Sequence, residues 1–598
     1  MEKITSREIR SKFLNFFEKN KHQIVPSSSL IPADTTVLFT SAGMQQFIPY
    51  FLGDTVPPFK RAASAQKCFR TSDIEGVGDE FHHTFFEMLG NWSFGDYFKE
   101  GAIVLALELL RKVFSIPLDR LYITVFKGEK DIPRDEQAAR LWKKYSIPDS
   151  HIFWFGKKEN FWGPIASSGP CGPCSEIYYD RGKEWEIRPH TLKTCGPNCG
   201  CGRFVEIWNL VFMEYNQLES GKLEKLKKHN IDTGAGLERL TCILNNLSSD
   251  YQTDLFLPIM DKIKLFAKKQ NLSYQRIIAD HIRASVFLIA DGVLPGKEER
   301  SYVLRRLIRR SIRYANLLGM QGKNLLDLAK VVIDNYKDIY PELHSHQADI
   351  LTVLENEEEK FSVSLKQGLK KFWQVANKTK NKGLKFMDSK DVFHLYDTYG
   401  IPFEIIEQMA KEAGLKVSYQ DFKKEFSRHQ SVSKKGAEKK FQGLKYWGEK
   451  VAHLHTATHL LQAALRKVLG EEVRQAGSDI NIERLRFDFT FPRKLTQEEL
   501  EKVEKLVQEK IKEDLPVTEE QMTYEEAIKL GALAFFKERY PKIVKVYTIG
   551  DPKNPFSREI CAGPHVKRTG QIEDFKIVKQ ESVGAGVKRI KATAKKKE

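Results

Sequence analysis

Apolar residues recur at three- and four-residue intervals through RIIADHIRASVFLIADGV (276–293) and SYVLRRLIRRSIRYANLL (301–318). This spacing predicts two helices, each with one face against a core. The same period marks residues 1–20, a mixed-charge amphipathic helix, and AHLHTATHLLQAALRKVLG (452–470), with Gly470 as its stop. LTQEELEKVEKLVQEKIKED (495–514) opens on Thr496 with Glu499 at the third helical position, a capping box. Shorter runs read as strands: VLFTSAGM (37–44), IYYDRG (177–182) and RLRFDFTF (484–491), the last alternating apolar with charged.

The succession of elements implies a multidomain α+β protein. Residues 1–240 read as a mixed strand-and-helix catalytic domain rich in aromatics, Gly and Pro, and 241–435 as a mostly helical domain. Residues 436–450 read as a polar Lys-rich linker and 451–590 as a second α+β domain. Residues 591–598 read as a frayed basic tail. A chain of 598 residues has room for such a division at roughly 100–200 residues per domain.

Charge adds a partner class. Lys and Arg number 96 against 79 Asp and Glu, a formal net charge of +17, the balance of a protein that meets a polyanion. Arg305, Arg306, Arg309, Arg310 and Arg313 fall in one helix, and the last four can share one side as a phosphate-tracking surface. No apolar run approaches the ~20 residues that span a bilayer, and the N-terminus has no signal-peptide core, so a cytoplasmic location is expected.

Two groups of residues have the spacing of metal ligands. His455 and His459 lie four apart on one helix, and Cys561 and His565 repeat that spacing in CAGPH, a set suited to tetrahedral zinc. Five of the eight cysteines bunch at Cys171, Cys174, Cys195, Cys199 and Cys201, and four of the five could bind a second zinc. Reduced thiols without a metal fit the same spacing.

Residues 66–98, QKCFRTSDIEGVGDEFHHTFFEMLGNWSFGDYF, predict a hairpin with Arg70 at its mouth and Phe86 on the returning strand. An arginine there can clamp an α-phosphate and a phenyl ring can stack on a purine. DTGAGLERL (232–240) places small residues before a helix that carries Arg239, within reach of a terminal phosphate. Each fragment alone also fits a surface salt bridge or a tight turn.

Together these segments resemble the second and third signature motifs of the class II aminoacyl-tRNA synthetases. Flanking stretches resemble the alanyl-tRNA synthetase family: SSSLIP, VLFTSAGMQQF, HHTFFEMLGNWSFGDYFK, NFWGP, GPCGPCSEIYYD, RFVEIWNLVFMEYN, ADHIR, FLIADGV, YVLRRLIRR and FHLYDTYGIPFE. The resemblance runs from residue 4 to about 410 and resumes near 452. It implies an antiparallel-sheet catalytic domain that binds ATP, Mg2+ and L-alanine, a helical domain for tRNA(Ala), and an α+β zinc-containing domain of the editing type.

By this resemblance Arg70 and Arg239 bind ATP phosphates, Phe86 stacks on adenine, and Asp232 takes the substrate ammonium. Trp162, Asn209, Val211 and Gly234 surround a methyl-sized pocket. Such a pocket discriminates poorly against glycine and serine, since one methylene is worth only about 1–3 kcal/mol. Glu299 and Glu404 stand where family members read one acceptor-stem base pair with Asn and Asp. The last domain, with Gln475, implies hydrolysis of seryl- or glycyl-tRNA(Ala).

The chain departs from the family pattern at several points. TSDIEGVG after Arg70 lacks a lysine that some members carry, and CAGPH replaces CGGTH, with Ala562 and Pro564 stiffening the loop. The β-barrel segment before the HxxxH helix and a long C-terminal dimerising domain are not found, which makes a monomer the expectation. Other readings are an inactive tRNA-binding paralogue, a stand-alone deacylase, and a synthetase whose zinc is structural only. The paralogue should have lost Arg70, Asp232 or Arg239, and the deacylase would leave residues 1–410 without a purpose.

Overall fold

The computed structural model describes residues 3–34, 36–129, 131–320, 322, 324–429, 451–491, 493–534, 542–561, 563–584 and 587–597. Packing divides the chain into two compact units, Met1–Val293 with Lys297–Leu351, and Leu294–Gly296 with Thr352–Glu598. The packing division falls near residue 351. The helices between 257 and 336 bury apolar faces within the first unit. The expected linker, 436–450, lies outside the described residues.

The first unit is built on one sheet. Its strands are β1 (Gln23–Ile24), β2 (Arg61–Phe69), β3 (Phe85–Phe94), β4 (Leu121–Phe126), β5 (Ile152–Phe155), β6 (Phe161–Trp162), β7 (Gly169–Asp180), β8 (Phe204–Gln217) and β9 (Leu223–Gly236). Their order is β1-β2-β3-β9-β8-β7-β4-β5, with β6 paired to β7. The pairs from β2 to β4 are antiparallel, and only the edge pairs β1–β2 and β4–β5 are parallel. VLFTSAGM forms no strand. Thr40 bonds singly to Leu30 and Phe69, and the chain then enters a 3-10 turn at Gly43–Phe47, so no ladder forms.

Helix α1 (Ser6–Lys19) starts at a Thr5–Glu8 capping box. Helices α2 (Leu237–Leu244), α3 (Leu257–Phe266), α4 (Leu272–Ala290), α5 (Glu299–Leu317) and α6 (Asn324–Tyr336) follow. Helix α4 is buried from Gln275 to Ile289, including Asp280, His281 and Arg283, so its polar groups need partners inside the protein. They have them. Asp280 accepts from the Thr84 backbone and hydroxyl, and His281 Nδ1 lies 2.9 Å from Asp280.

Arg283 pairs with Glu238 of α2 at 2.9 Å and donates to the Tyr336 hydroxyl of α6. Glu238 accepts from the backbone N–H of Glu87 in β3, and Glu87 takes a bidentate pair from Arg10 of α1 and a bond from Tyr340. One charge network thus joins α1, β3, α2, α4 and α6.

The second unit contains α7 (Gln347–Asn381), in which the division falls, then α8 (Ser389–Asp397) and α9 (Phe403–Glu412). Beyond residue 450 come α10 (Ala452–Leu469), β10 (Gln475–Ile480), β11 (Leu485–Thr490), α11 (Gln497–Lys512), β12 (Val517–Thr523), α12 (Tyr524–Lys529), β13 (Ile543–Asp551), β14 (Asn554–Ile560), β15 (Ile572–Gly584) and β16 (Val587–Lys596). They form a four-stranded sheet, β10-β11-β16-β15, and a three-stranded sheet, β12-β13-β14. Helices α10 and α11 pack on the first sheet through Leu454, Leu461, Leu465, Val503 and Val507.

The basic tail is a strand, β16, held between β11 and β15. Lys588, Ile590, Ala592 and Ala594 are buried on one face. On the other face Arg589 pairs with Asp488, Lys591 with Glu581 and Lys595 with Asp574, so its charges serve as cross-strand partners.

Arg283→Ala should leave Glu238 buried without its cation and lower the stability of the first unit by about 3–5 kcal/mol. The readout is the calorimetric transition of that unit in the full chain. Arg7→Ala, which breaks an exposed pair with Asp338, should leave that transition in place. Equal shifts in the two variants would contradict the network's role.

Candidate active site and metal centres

The hairpin expected from residues 66–98 is formed by β2 and β3, with Phe69 opposite Phe85 and Cys68 opposite Phe86. The Arg70 backbone N–H closes its mouth on the Thr84 carbonyl. The guanidinium lies over the Phe86 ring, 4.9 Å from its centroid, and donates to the Ser41 carbonyl. Both side chains are half-buried, so a ring and a phosphate can enter beside them.

Asp232 sits in β9, 5% exposed, and accepts a 2.7 Å bond from Trp92 Nε1. Burial pushes its carboxyl up to about 7, against the bond from Trp92. Strand pairing puts Val211 opposite Asp232 and Asn209 opposite Gly234 on β8, and Cys174 of β7 opposite Val211. Val211, Cys174, Trp92 and Met44 form one apolar cluster, with Trp162 packed on it. A Cβ on Gly234 would come within 2.8 Å of Met88 Sδ, so this position admits only glycine without displacing that side chain. A buried carboxylate beside a small apolar box can receive an ammonium with a short side chain.

Arg239 is the third residue of α2, which begins at Leu237 and runs on to Leu244. Its side chain is 36% exposed and lies 3.2 Å from Glu206 on β8. Burial, then the charge of Glu206, push the neighbouring Glu176 carboxyl up to about 8. The Tyr178 hydroxyl is 3.0 Å from Glu176 Oε2 and 2.8 Å from Asn198 Oδ1. A phenol has one proton, so both contacts are satisfied when Glu176 is protonated and donates to it. Trp92, Glu176, Tyr178 and Glu206 were not singled out from the sequence. Each lies in a strand whose aromatic and apolar neighbours mask a single polar side chain.

The arginines of α5 do not form an open face. Arg309, Arg310 and Arg313 are 8%, 6% and 4% exposed, and Arg305 and Arg306 are half-buried. Arg310 donates to the Ile74 carbonyl, and Arg306 pairs with Glu75, both in the loop after Arg70. Four arginines at helical spacing cover more than a quarter turn, and here that side of the helix meets protein. Glu299 is exposed at the start of α5 with φ +45°, and Glu404 is half-buried in the first turn of α9.

The four ligands expected for zinc converge. Donor atoms of His455, His459, Cys561 and His565 lie within 4.8 Å of one another, and Cys561 Sγ is 3.4 Å from His455 Nε2. Helix α10 presents His455 and His459 one turn apart, and the turn after β14 supplies Cys561 and His565. His455 Nδ1 is 3.2 Å from the Pro564 carbonyl, and His565 Nδ1 is 3.1 Å from Thr456 Oγ1. Those bonds fix both tautomers with Nε2 left as a donor, and His565 Nε2 is buried without a hydrogen-bond partner in the protein.

Burial pushes His455 down to about 4 and the other two imidazoles below the usual range, so all three are neutral, as metal binding requires. A Cβ on Gly563 would lie 1.9 Å from the His455 ring, which makes glycine obligatory there. Ala562 lies outside the described residues. Gln475 begins β10 and donates to Ser478 rather than to these histidines.

The cysteine group separates. Cys171 and Cys174 are buried in β7 in apolar clusters. Cys195, Cys199 and Cys201 instead meet His190, with all four donor atoms within 4.8 Å. Thiol spacing gives no sign of this histidine, five residues before Cys195.

Among family profiles, tRNA synthetases class II (A) matches residues 8–524, and the threonyl and alanyl tRNA synthetase second additional domain matches 544–591. An alanine–tRNA ligase of Borrelia hermsii is 46% identical over 98% of this chain and 99% of its own length. One of Treponema pallidum is 44% identical over 99% and 98%. One of Thermotoga maritima is 40% identical over 99% of this chain and 80% of its own. The two matching profiles and these relatives agree, and the chain belongs to the alanyl-tRNA synthetase family of the class II aminoacyl-tRNA synthetases.

Proposed function

We propose that this protein converts L-alanine and ATP to alanyl-adenylate with release of pyrophosphate, and passes the alanyl group to tRNA(Ala) with release of AMP. The observation that carries this reading is Asp232, a carboxylate held by Trp92 at the end of a box made by Val211, Trp162 and Cys174. That box fits a methyl group and an ammonium together. Arg70 and Phe86 at the hairpin mouth receive the α-phosphate and the purine, and Arg239 takes the distal phosphates. Charge gathers on the α-phosphate oxygens as the alanine carboxylate attacks. A fixed guanidinium stabilises it without reorganising.

Glu206, beside Arg239, would be the carboxylate to hold Mg2+ with bound ATP, and the ion would supply positive charge to the phosphates. Glu299 and Glu404 are acceptor-only groups that can meet exocyclic amines of the acceptor stem.

Residues 451–590 are read as the editing part, removing serine or glycine from tRNA(Ala). His455, His459, Cys561 and His565 would hold zinc, which supplies a Lewis acid for ester hydrolysis. Around it Pro564 and Thr456 fix the imidazoles. The buried Glu559 carboxyl lies 3.6 Å from His459 Nδ1, close to that centre.

Alanine-dependent exchange of labelled pyrophosphate into ATP should occur with the wild type. It should fall about 100-fold or more in Asp232→Ala, on the order of 3 kcal/mol for the loss of a buried charge partner. No exchange with any amino acid would defeat the reading.

Alanine affinity without ATP should weaken about tenfold per pH unit below about 7, because the proton on Asp232 competes with the ammonium. Calorimetric titration between pH 5.5 and 8 checks this, and a flat profile would exclude Asp232 as the ammonium site. In the same preparations His455→Ala with His459→Ala should abolish hydrolysis of Ser-tRNA(Ala) and leave pyrophosphate exchange within about twofold. Undiminished hydrolysis would assign those residues a structural role.

A further inference from the structure

We propose that His190, Cys195, Cys199 and Cys201 form a second, tetrahedral zinc site, and that it holds the 181–203 segment against the strands of the amino-acid pocket. The four donor atoms lie within 4.8 Å of one another. Two of the separations test the geometry. With Zn–S at ~2.3 Å and Zn–N at ~2.0–2.1 Å, a tetrahedron has S···S edges of ~3.8 Å and S···N edges of ~3.6 Å. Cys195 Sγ and Cys201 Sγ are 3.7 Å apart, and His190 Nδ1 and Cys199 Sγ are 3.4 Å apart. The sulfur separation is far from the ~2.05 Å of a disulfide.

The segment around the four ligands has little else to order it. Residues 186–203 form neither helix nor strand, and most of 188–194 is exposed. Yet Cys199 and Cys201 are buried, and the backbone returns on itself through Arg188 N–H to the Cys201 carbonyl. A stretch of polar loop with buried cysteines needs a crosslink, and a metal supplies one.

The ends of the loop are tied to the sheet. Arg203 makes a bidentate pair with Asp180 of β7 and reaches Glu186. Asn198, between two ligands and at φ +63°, meets the Tyr178 hydroxyl, which meets Glu176. Glu176 also accepts from Asn209 of the pocket. The site therefore lies three hydrogen bonds from the substrate box. Cys171 and Cys174 take no part in it.

Metal content reads this site whether or not the alanine reading holds. The full chain, grown with zinc and purified without chelators, should contain two zinc ions by plasma mass spectrometry. Cys199→Ser with Cys201→Ser should retain one, and His455→Ala with His459→Ala should retain the other. Cobalt left in the histidine-substituted protein should show a thiolate-to-metal charge-transfer band roughly threefold stronger per ion than that left in the cysteine-substituted protein, since three thiolates replace one. If the serine variant does not fold, His190→Ala provides the check. Its side chain is half-exposed, so folding should survive, and release of one zinc to a chromogenic chelator should speed at least tenfold. One zinc per wild-type chain belonging to the His455 set, zinc release unchanged in His190→Ala, or a Cys195–Cys201 disulfide in mapped peptides would each overturn the proposal.

Discussion

Two buried carboxylates, Glu87 and Glu238, must be neutralised inside the first unit, and the way this is done sets the active site. Each is paired with an arginine from a different helix, Arg10 and Arg283, and the backbone N–H of Glu87 donates to Glu238. Unpaired, either carboxylate would cost several kcal/mol. Paired, they lock α1 and α4 to the sheet and fix the register of β3 against the start of α2.

The consequence for function follows from alternation. Glu87 points into the network, so its neighbours Phe86 and Met88 face the other side of β3. There Phe86 stacks with Arg70 and Met88 packs on Gly234. Glu238 likewise turns into the core while the next residue, Arg239, reaches outward to Glu206. Phe86 and Arg239, two of the groups proposed to hold ATP, are thus each one residue from a buried, ion-paired carboxylate. Their positions are rigid because their neighbours cannot move.

The Cys/His clusters solve a different problem. The turn after β14 and the loop after β7 carry few apolar residues and cannot order themselves by burial alone. In both, imidazoles and thiols replace the missing core. The His455 set is held further by Pro564 and Thr456, which choose the ring tautomers. Its surroundings are dry enough to keep all three histidines neutral. Proline in place of threonine at 564 keeps that interaction, because the accepting group is the backbone carbonyl.

The sequence alone determined what depends on local spacing. The β2–β3 hairpin, the DTGAGLERL turn into α2, the HxxxH helix and the Thr496 cap are all legible because neighbours along the chain are neighbours in space. Tertiary structure decided the rest. VLFTSAGM has strand composition but lacks a partner to pair with, and KRIKATAKKKE has the composition of a tail but finds partners on both sides, since pairing depends on distant segments. Helical spacing placed four arginines on one side of α5 and could not say what that side meets. Burial of Arg309, Arg310 and Arg313 comes from packing. Spacing grouped five cysteines, and the fold divided them, carrying Cys171 and Cys174 into a strand and bringing His190 to the others. Trp92, which holds Asp232, is 140 residues from it in sequence. A contact of that separation becomes visible only when β3 and β9 lie side by side.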